Sequence, residues 1–476
     1  MKLSRDDAAL IAIIGAGIAG CAVYLELKKH LPKSSSSPED HEITIYEAYD
    51  TGKDVTSDDR EEGPTHSSTL VVGGGVGIAP NGLGVLERLD EAILRDVTRH
   101  GYVIARSNMK NKNGSLLMSI DANISTTSAP GSEPQKLNMV ACSRHALWRS
   151  LRARIPDAAI VNKRVLQVVA NSKGRNIVQF VDGSDPVEAD LVIGADGVKS
   201  IAKRALFPEA SEDPYPPHYE GLVGVGGFIP AAGLEEFVEN GSMNFIFGGN
   251  GFFGYFFSDS HPSDANRESP YAVSKPGETL AWWSTYEIKE CPDRTTLDMD
   301  AVSNRLRERH AQWKDPVVQR VIESARVSNM YPTWTSPPLP TWERDGVVLV
   351  GDAAHALPST SGQGVSQALE DCESFVMFLA HQLGRADSSG SVTEKQAVTK
   401  AARQYISLRK PRVTEILENA QRIQNTKRDM GIIQEYAMYS FFKLLGFFPN
   451  IAAKPSRKVF EYNVAEQAAQ IIASDS

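Results

Sequence analysis

The segment Ala9-Leu-Ile-Ala-Ile-Ile14, followed by Gly15-Ala-Gly17-Ile-Ala-Gly20, decides the fold of this chain. The apolar run predicts a buried strand, and the three glycines permit a tight turn into a helix that extends to about His30. A second predicted strand, Ile43 to Tyr46, ends at Glu47. This order of strand, helix and strand predicts the beginning of a doubly wound parallel sheet.

The same turn is suited to a dinucleotide. Its glycines let the backbone approach a pyrophosphate, and the helix that follows offers unpaired N–H groups to the anion. The carboxylate of Glu47 can accept hydrogen bonds from ribose hydroxyls, and its charge disfavours a 2′-phosphate. The pattern therefore predicts FAD or NAD, rather than NADP, at Gly15, Gly17, Gly20 and Glu47.

Two further segments place a carboxylate directly after a predicted strand and a glycine. One is Asp190-Leu-Val-Ile-Gly194-Ala-Asp196-Gly197, and the other is Gly351-Asp352, followed by Pro358 and Gly362-Gln363-Gly364. At the carboxyl edge of a parallel sheet such an Asp can reach ligand hydroxyls, although a single Asp is more often a helix N-cap. The three segments together predict one dinucleotide site.

Composition and charge narrow the class of protein. The chain has 476 residues, 41% hydrophobic and 23% charged, which is typical of a soluble globular protein with two lobes. The net charge of −9 argues against a nucleic-acid partner. Four scattered cysteines give no metal-ligand spacing, so we expect no metal and a reducing, cytoplasmic location.

A glycine-rich and aromatic stretch, residues 219–290, predicts an antiparallel sheet. Large apolar side chains exclude water from a reactive cofactor and favour flat ligands. The predicted substrate wall consists of Phe247, Phe253, Tyr255, Trp283 and Tyr286, with simple core packing as the alternative for each. Tyr255 or Tyr286 is a candidate hydrogen-bond partner of the substrate. No residue stands out as a general base, so the catalytic residues stay unassigned.

The C-terminal sequence is predicted to be helical. Its apolar segment, residues 436–453, is interrupted by Lys443, Gly446 and Pro449, so no transmembrane span is expected. Packing against the body of the protein, peripheral membrane contact and capping of a substrate tunnel all remain open for this segment.

The three glycine-containing motifs resemble those of the single-component FAD-dependent aromatic hydroxylases. These class A flavoprotein monooxygenases include salicylate hydroxylase-like and tetracycline-inactivating enzymes, and the resemblance covers nearly the whole chain. With the predicted elements it implies an α/β fold with a Rossmann-like FAD-binding domain, an inserted antiparallel-sheet substrate domain and C-terminal helices. The expected bounds are 1–82, 140–208 and 330–390 for the first, 83–139 and 209–329 for the second, and 391–476 for the last.

The resemblance also implies a role for each motif residue. The FAD-ADP fingerprint of the family is matched by Gly15, Gly17, Gly20 and Glu47. A motif linked to the FAD pyrophosphate and NAD(P)H is matched by Asp196 and Gly197, and one linked to the ribityl and pyrophosphate by Asp352. The loop beside the isoalloxazine is matched by Gly362, Gln363 and Gly364, and Arg144 matches an arginine that contacts FAD. Two departures stand out. The proline pair of the family is Pro358-Ser359 here, and the arginine usual after the second motif is Lys203. His355 is expected to have a structural or flavin-adjacent role.

The reaction implied by the resemblance is oxygen insertion. NADH or NADPH would reduce FAD, O2 would add at the flavin C4a, and the hydroperoxide would hydroxylate or epoxidise a small aromatic or prenylated metabolite, in secondary metabolism. The alternatives are an FAD-dependent oxidase or dehydrogenase without oxygen insertion, a flavin halogenase and a non-catalytic flavin-binding regulator. The missing W-x-W-x-I-P motif disfavours the halogenase. Both a monomer and a homodimer fit the sequence.

Overall fold

The computed structural model describes residues 9–31, 41–51, 75–126, 135–293, 296–324, 326–389 and 393–475. The serine-rich segment 34–37 and most of the polar segment 49–68, both interpreted as loops from the sequence, lie outside these residues. Within the described residues the chain is a mixed α/β structure, which confirms the predicted fold class.

A six-stranded sheet carries the first glycine turn. Its spatial order, with strands numbered along the chain, is β19 (Glu343–Arg344), β20 (Val347–Leu349), β13 (Leu191–Gly194), β1 (Leu10–Ile14), β2 (Glu42–Glu47) and β9 (Ile160–Asn162). All pairs are parallel except that of β19 with β20. The central strands are almost wholly apolar and buried, as expected for a parallel sheet that is covered on both faces.

The carboxyl ends of these parallel strands meet at one edge of the sheet. Ile14 pairs in register with Tyr46 on one side and with Gly194 on the other, and Gly194 pairs with Leu349. The turns that follow β1, β13 and β20 therefore leave the sheet side by side.

A second sheet has seven strands. Their order is β18 (Met330–Thr335), β14 (His218–Pro230), β17 (Thr279–Glu287), β16 (Gly251–Phe257), β15 (Ser242–Gly248), β5 (Arg106–Asn111) and β6 (Leu116–Asp121). Neighbours are antiparallel, apart from β15 and β5, which confirms the predicted antiparallel sheet. One face packs against α5 (Met299–His310) and α6 (Pro316–Ser324) around a core that includes Trp282, Leu306 and Val321.

Two smaller sheets complete the strand structure of the described residues. The first contains β3 (Gly75–Ile78), β8 (Gln135–Ser143) and β4 (Gly101–Ile104), with β7 (Asn123–Thr126) beside β8; the second contains β10 (Val165–Val169), β11 (Asn176–Phe180) and β12 (Val187–Ala189). Strand β8 passes directly into α4 (Arg144–Arg152), whose N-terminus is capped by a 3.0 Å hydrogen bond from Ala146 N–H to Ser143 Oγ.

Helices pack around the parallel sheet. α1 (Ile18–His30) follows the first glycine turn, and α8 (Gly364–Ser389) follows the last. The others are α2 (Pro80–Leu89), α3 (Glu91–Arg99), α7 (Asp352–His355), α9 (Glu394–Gln424), α10 (Ile432–Gly446), α11 (Pro449–Phe460) and α12 (Val464–Ser474). Except for α10 and α11, their apolar faces join those of the strands in one core that includes Leu27, Phe375 and Tyr405. Tyr439 of α10 instead packs with Phe247 and Phe252 of the seven-stranded sheet.

Helices α10 and α11 contact the seven-stranded sheet, and much of their apolar surface is exposed. The hydroxyl of Tyr439 in α10 donates to the backbone oxygen of Phe247 at 2.8 Å. The α10–α11 apolar surface consists of the exposed side chains of Ile432, Ile433, Tyr436, Phe441, Leu444, Phe447, Phe448 and Ile451. Among the described residues, no helix has the length and apolar character needed to span a membrane.

Candidate cofactor and substrate site

The turn after β1 is shaped by its three glycines. Gly15 has a φ of +100°, and a Cβ there would lie 2.8 Å from the backbone oxygen of Ala195, while a Cβ on Gly20 would overlap the backbone oxygen of Gly15. Gly17 faces open space at the N-cap of α1. Two glycines thus allow close packing, and the third leaves the helix N-terminus accessible to an anion.

Glu47 closes β2 beside this turn. Its buried carboxylate accepts hydrogen bonds from the backbone N–H groups of Ala16 at 2.6 Å and Tyr49 at 3.0 Å. The backbone oxygen of Ala16 accepts a 2.8 Å bond from the indole of Trp148 in α4. These bonds hold the carboxylate against the glycine turn, at the sheet edge where the ribose of a dinucleotide lies in such folds.

Asp196, in the turn after β13, has one occupied and one unpaired carboxylate oxygen. The first accepts from the N–H groups of Ile201 at 2.6 Å and Ala202 at 3.1 Å, so Asp196 caps the segment that follows it. The other oxygen is buried without a partner among the described residues, and burial raises the pKa of this carboxyl. An unsatisfied buried acceptor costs about 1–3 kcal/mol, which a donor on a ligand would offset.

Asp352, in the turn after β20, lies within electrostatic range of Arg144 at the start of α4. Desolvation by the surrounding protein raises the pKa of the Asp352 carboxyl, although the residue is exposed to solvent. The positive charge of Arg144 opposes this rise. Gly351 has a φ of +59°, and a Cβ there would lie 3.3 Å from the Cβ of Ala19 in α1. The third turn therefore packs on the helix that begins at the first turn, just as Gly15 packs on the second.

The loop before α8 turns its backbone outward and its polar side chain inward. A 3₁₀ turn, Ser359–Ser361, directly follows the buried Pro358. Gly362 and Gly364, which come after this turn, face open space. Gln363 is buried, and its Oε1 accepts from Asn81 Nδ2 at 3.1 Å and from Gln367 Nε2 at 3.2 Å. Gln363 therefore anchors the loop to α2 and α8, and the adjacent glycine backbone is left free to meet a ligand.

A buried ion-pair network supports this loop from behind. Arg409 in α9 pairs with Glu370 and Asp371 of α8, and all three side chains are completely buried. Burial alone would raise the pKa values of both carboxyls, but Arg409 and the other nearby charges hold them below their ordinary values. Arg412 adds a 2.8 Å contact to Glu370.

His355 belongs to the same network. Its Nε2 lies 2.5 Å from Asp371, which also accepts the backbone N–H of Gly351 at 2.9 Å. This placement supports a structural role for His355. Sequence reasoning did not find Glu370 and Asp371, although two adjacent acidic residues within an otherwise apolar helical stretch were a usable signal.

The five predicted wall residues do not share one face of the seven-stranded sheet. Phe253 lies 5.4 Å from the ring of His310, the hydroxyl of Tyr255 donates to Asp315 at 3.0 Å, and Tyr286 lies beneath Arg309. These contacts place Phe253, Tyr255 and Tyr286 on the face covered by α5 and α6. The candidate wall residues therefore divide between the two faces of the sheet, because successive strand residues point to opposite faces.

Phe247 and Trp283 lie on the other face. We call this the aromatic face and define it by Phe245, Phe247, Phe252, Phe256 and Trp283, whose rings contact one another at centroid distances of 5.2–6.0 Å. Phe247 is covered in part by Phe442 of α10 at 5.1 Å, whereas Trp283 is half-buried. The indole lies over Gly254, where a Cβ would overlap it.

The aromatic face is connected to the Gly362–Gly364 loop through β3. A Cβ on Gly75 of β3 would lie 2.8 Å from Phe256. Strand β3 leads within two residues to α2, whose Asn81 bonds to Gln363. Strand β3 and the start of α2 therefore link the aromatic face to the loop that contains Gln363.

Lys427 is a residue of this region that sequence reasoning missed. It follows α9 and is 8% exposed, and its ammonium nitrogen lies 3.9 Å from the centroid of the Phe252 ring. Burial lowers the pKa of this lysine to about 7. A single lysine in a polar stretch gives no signal of such a contact, because the aromatic face is distant in sequence.

Two other features lie outside this site. An open depression of about 460 Å³, lined by Lys110 and by acidic residues that include Glu235 and Glu239, lies on the α5–α6 side of the sheet. Over the described part of the chain, no group of His, Cys, Asp and Glu side chains is arranged to hold a metal ion.

The comparison with known families agrees with this geometry. A family model described as an FAD binding domain matches residues 161–408, which is more than half of the chain. The chain belongs to this FAD-binding family, and the prediction of a class A flavoprotein monooxygenase is confirmed. FAD as cofactor, with NAD(P)H as co-substrate, is confirmed with it.

Individual relatives are distant. The chain is 26% identical over 423 residues to 3-amino-4-hydroxybenzoate 2-monooxygenase of Streptomyces cremeus, covering 87% of this chain and 86% of the relative. It is 25% identical over 390 residues to the chloroplastic zeaxanthin epoxidase of Oryza sativa subsp. japonica, covering 80% of this chain and 50% of that protein. A solved salicylate hydroxylase substrate complex has the same fold, with a TM-score of 0.68, 19% identity and 97% coverage of both chains.

Proposed function

We propose that this protein uses FAD, NADH or NADPH, and O2 to hydroxylate or epoxidise a small aromatic or prenylated metabolite, in secondary metabolism. The observation that carries the proposal is the convergence of three glycine turns at one sheet edge. Two relatives support the reaction class, because one is named for oxygenation of an aminohydroxybenzoate and the other for epoxidation of zeaxanthin.

The motif residues fit the parts of FAD. Gly15, Gly17, Gly20 and the N-terminus of α1 would hold the pyrophosphate, and Glu47 the ribose. Asp196 with Gly197 and Asp352 with Arg144 would meet the pyrophosphate and ribityl, where the unpaired oxygen of Asp196 offers an acceptor. Pro358, Gly362, Gln363 and Gly364 would shape the isoalloxazine edge. Bound FAD would supply the redox chemistry: it accepts hydride from the nicotinamide and activates O2.

The protein itself would exclude water, bind the substrate and position the loop beside the flavin. The aromatic face would exclude water, and its two half-buried rings, Phe245 and Trp283, would accept a flat ligand. The buried Arg409 network would hold the Gly362–Gly364 loop in one position relative to that face. In this proposal the domains have the bounds given from the sequence, so the substrate lies between the FAD-binding domain and the inserted sheet.

The central test of the reaction is the source of the oxygen atom in the product. With a substrate found by ligand-accelerated oxidation of NAD(P)H, a reaction under ¹⁸O2 should place one ¹⁸O atom in the product, and a reaction in H2¹⁸O should place none. Product formation without isotope from ¹⁸O2 would reject oxygen insertion and favour the oxidase or dehydrogenase alternative.

We also propose a peripheral membrane contact through residues 436–453. The α10–α11 apolar surface is large, and exposed apolar patches of this kind mark interaction sites. Exposed Lys443, Lys454 and Lys458 lie on the same two helices and would attract anionic lipid. The four cysteines are free thiols, which supports a cytoplasmic location; both a monomer and a homodimer are compatible with this placement.

A further inference from the structure

Lys427 places a positive charge against the aromatic face. Lys427 is more than nine-tenths buried, and its ammonium nitrogen lies 3.9 Å from the centroid of the Phe252 ring. Within the described residues no carboxylate or hydrogen-bond acceptor pairs with this ammonium. Burial is the one cause of its lowered pKa, which agrees with the lack of a nearby anion.

Gln424 and Arg428, which lie close to Lys427 in the chain, bond to acidic residues at this edge of the seven-stranded sheet. Gln424 donates to the carboxylate of Glu220 at 2.8 Å. Arg428 pairs with Glu287 at 3.1 Å and donates to the backbone oxygen of Glu220 at 2.8 Å. The side-chain amide nitrogen of Gln424 and the guanidinium of Arg428 thus have acidic partners, whereas Lys427 is directed to an aromatic ring.

Such a position is unfavourable for a lysine unless an anion joins it. Removal of an ammonium group from water is costly, and the face of a phenyl ring compensates for only part of that cost. An apolar side chain of similar length, such as methionine, would fill the same space without the penalty. A residue that lowers stability in this way is typical of a binding site.

We propose that Lys427 binds an anionic oxygen of the substrate, a carboxylate, phenolate or enolate, while the ring of the substrate rests on the aromatic face. The inference rests on the proposed function, because it assigns a substrate class to the same site. The half-buried Trp283 would contact the ring, and Lys427 would set its orientation and select acids over neutral analogues. A charge-assisted hydrogen bond formed away from water gives this selectivity.

The test uses the FAD-loaded protein and matched pairs of probes. The pairs are 4-hydroxybenzoate with 4-hydroxybenzamide and 2-naphthoate with 2-naphthamide, with affinities measured by calorimetry. Four proteins are compared: the wild type, Lys427→Met, Lys427→Arg and Lys289→Met, in which Lys289 is an exposed lysine on the same lobe. The FAD content of each preparation is measured first, so that loss of cofactor is separated from loss of ligand binding.

The wild type and Lys289→Met should bind at least one acid about tenfold tighter than its amide. Lys427→Arg should keep this preference, and Lys427→Met should lose it while its affinity for the amide is unchanged. The inference is overturned if the wild-type holoenzyme shows no acid preference in either pair, including no binding, or if Lys427→Met retains the preference. A preparation that binds no FAD contradicts the proposed function instead.

Discussion

The guanidinium of Arg409 lies 2.9 Å from the carboxylate of Asp371, and both side chains are fully buried. Since Asp371 also holds Gly351 and His355, this pair joins α9 to the turn that carries Asp352. The same arginine pairs with Glu370, which bonds to Asn81 beside Gln363. One buried cation therefore supports both turns that would contact the flavin.

Replacement of Arg409 by methionine should destabilise the protein strongly. Two carboxylates would lose their main partner in a buried site, which costs about 3–5 kcal/mol. Urea denaturation of the FAD-free and FAD-loaded protein measures the effect. Arg99→Met is the matched control, because the partly exposed pair of Arg99 with Glu268 should contribute at most about 1 kcal/mol. Equal effects of the two substitutions would show that the network is not structural.

Gly17→Val should weaken FAD binding without unfolding the protein. A Cβ at Gly17 meets nothing within 4 Å and its φ of −71° suits any residue, so the protein alone accepts the side chain. A pyrophosphate at this turn would not. FAD affinity by fluorescence titration should fall at least about tenfold, while the FAD-free protein should lose only about 1 kcal/mol, as expected for a poorer helix N-cap. Gly384→Ala, at another glycine with open space, should leave FAD binding unaltered.

Lys427→Met should raise stability, and the gain should depend on pH. The folded-state pKa of Lys427 is lowered to about 7 by burial, so the unfolded chain binds more protons than the folded chain between about pH 7 and its ordinary value of 10.5. Wild-type stability therefore rises with pH across that window through this group. The advantage of Lys427→Met in urea denaturation should be largest below pH 7 and shrink towards pH 10. A difference in the free energy of unfolding between the two proteins that does not change with pH would show that the pKa of Lys427 is not lowered in the folded protein.

Membrane contact should depend on the α10–α11 apolar surface. Flotation with vesicles that contain phosphatidylserine should recover the wild type, and Phe447→Ser should reduce the bound fraction because its side chain is 72% exposed. Phe237→Ser, at an exposed phenylalanine elsewhere, is the control. Recovery that is the same for both variants, or absent for the wild type, would reject the proposed contact.

The glycine turns were predictable from sequence because each requirement is local. Gly15 adopts a positive φ and Gly20 lies against backbone, so residue type and spacing carry the information. The apolar strands that precede Gly15, Ala195 and Gly351 gave the parallel sheet for the same reason. One oxygen of Asp196 caps the segment that follows, and the other has no partner among the described residues; ligand binding by this residue stays a prediction.

The faces of the second sheet were not predictable in the same way. Strand β16 carries aromatic residues on both sides, as in Phe252 and Phe253, so no polar alternation reveals which side chains meet the cofactor lobe. The answer comes from long-range packing: α5 and α6 cover Phe253 and Tyr255, and Lys427 reaches Phe252. These contacts join segments far apart in the chain, and no local pattern encodes them.

The flavin content of the purified protein is the measurement that tests the central claim most directly. The three converging turns predict a yellow protein that releases FAD on denaturation, in an amount equal to that of the chain, and that takes up added FAD after the cofactor has been stripped. A folded, colourless protein that does not take up added FAD would contradict the account.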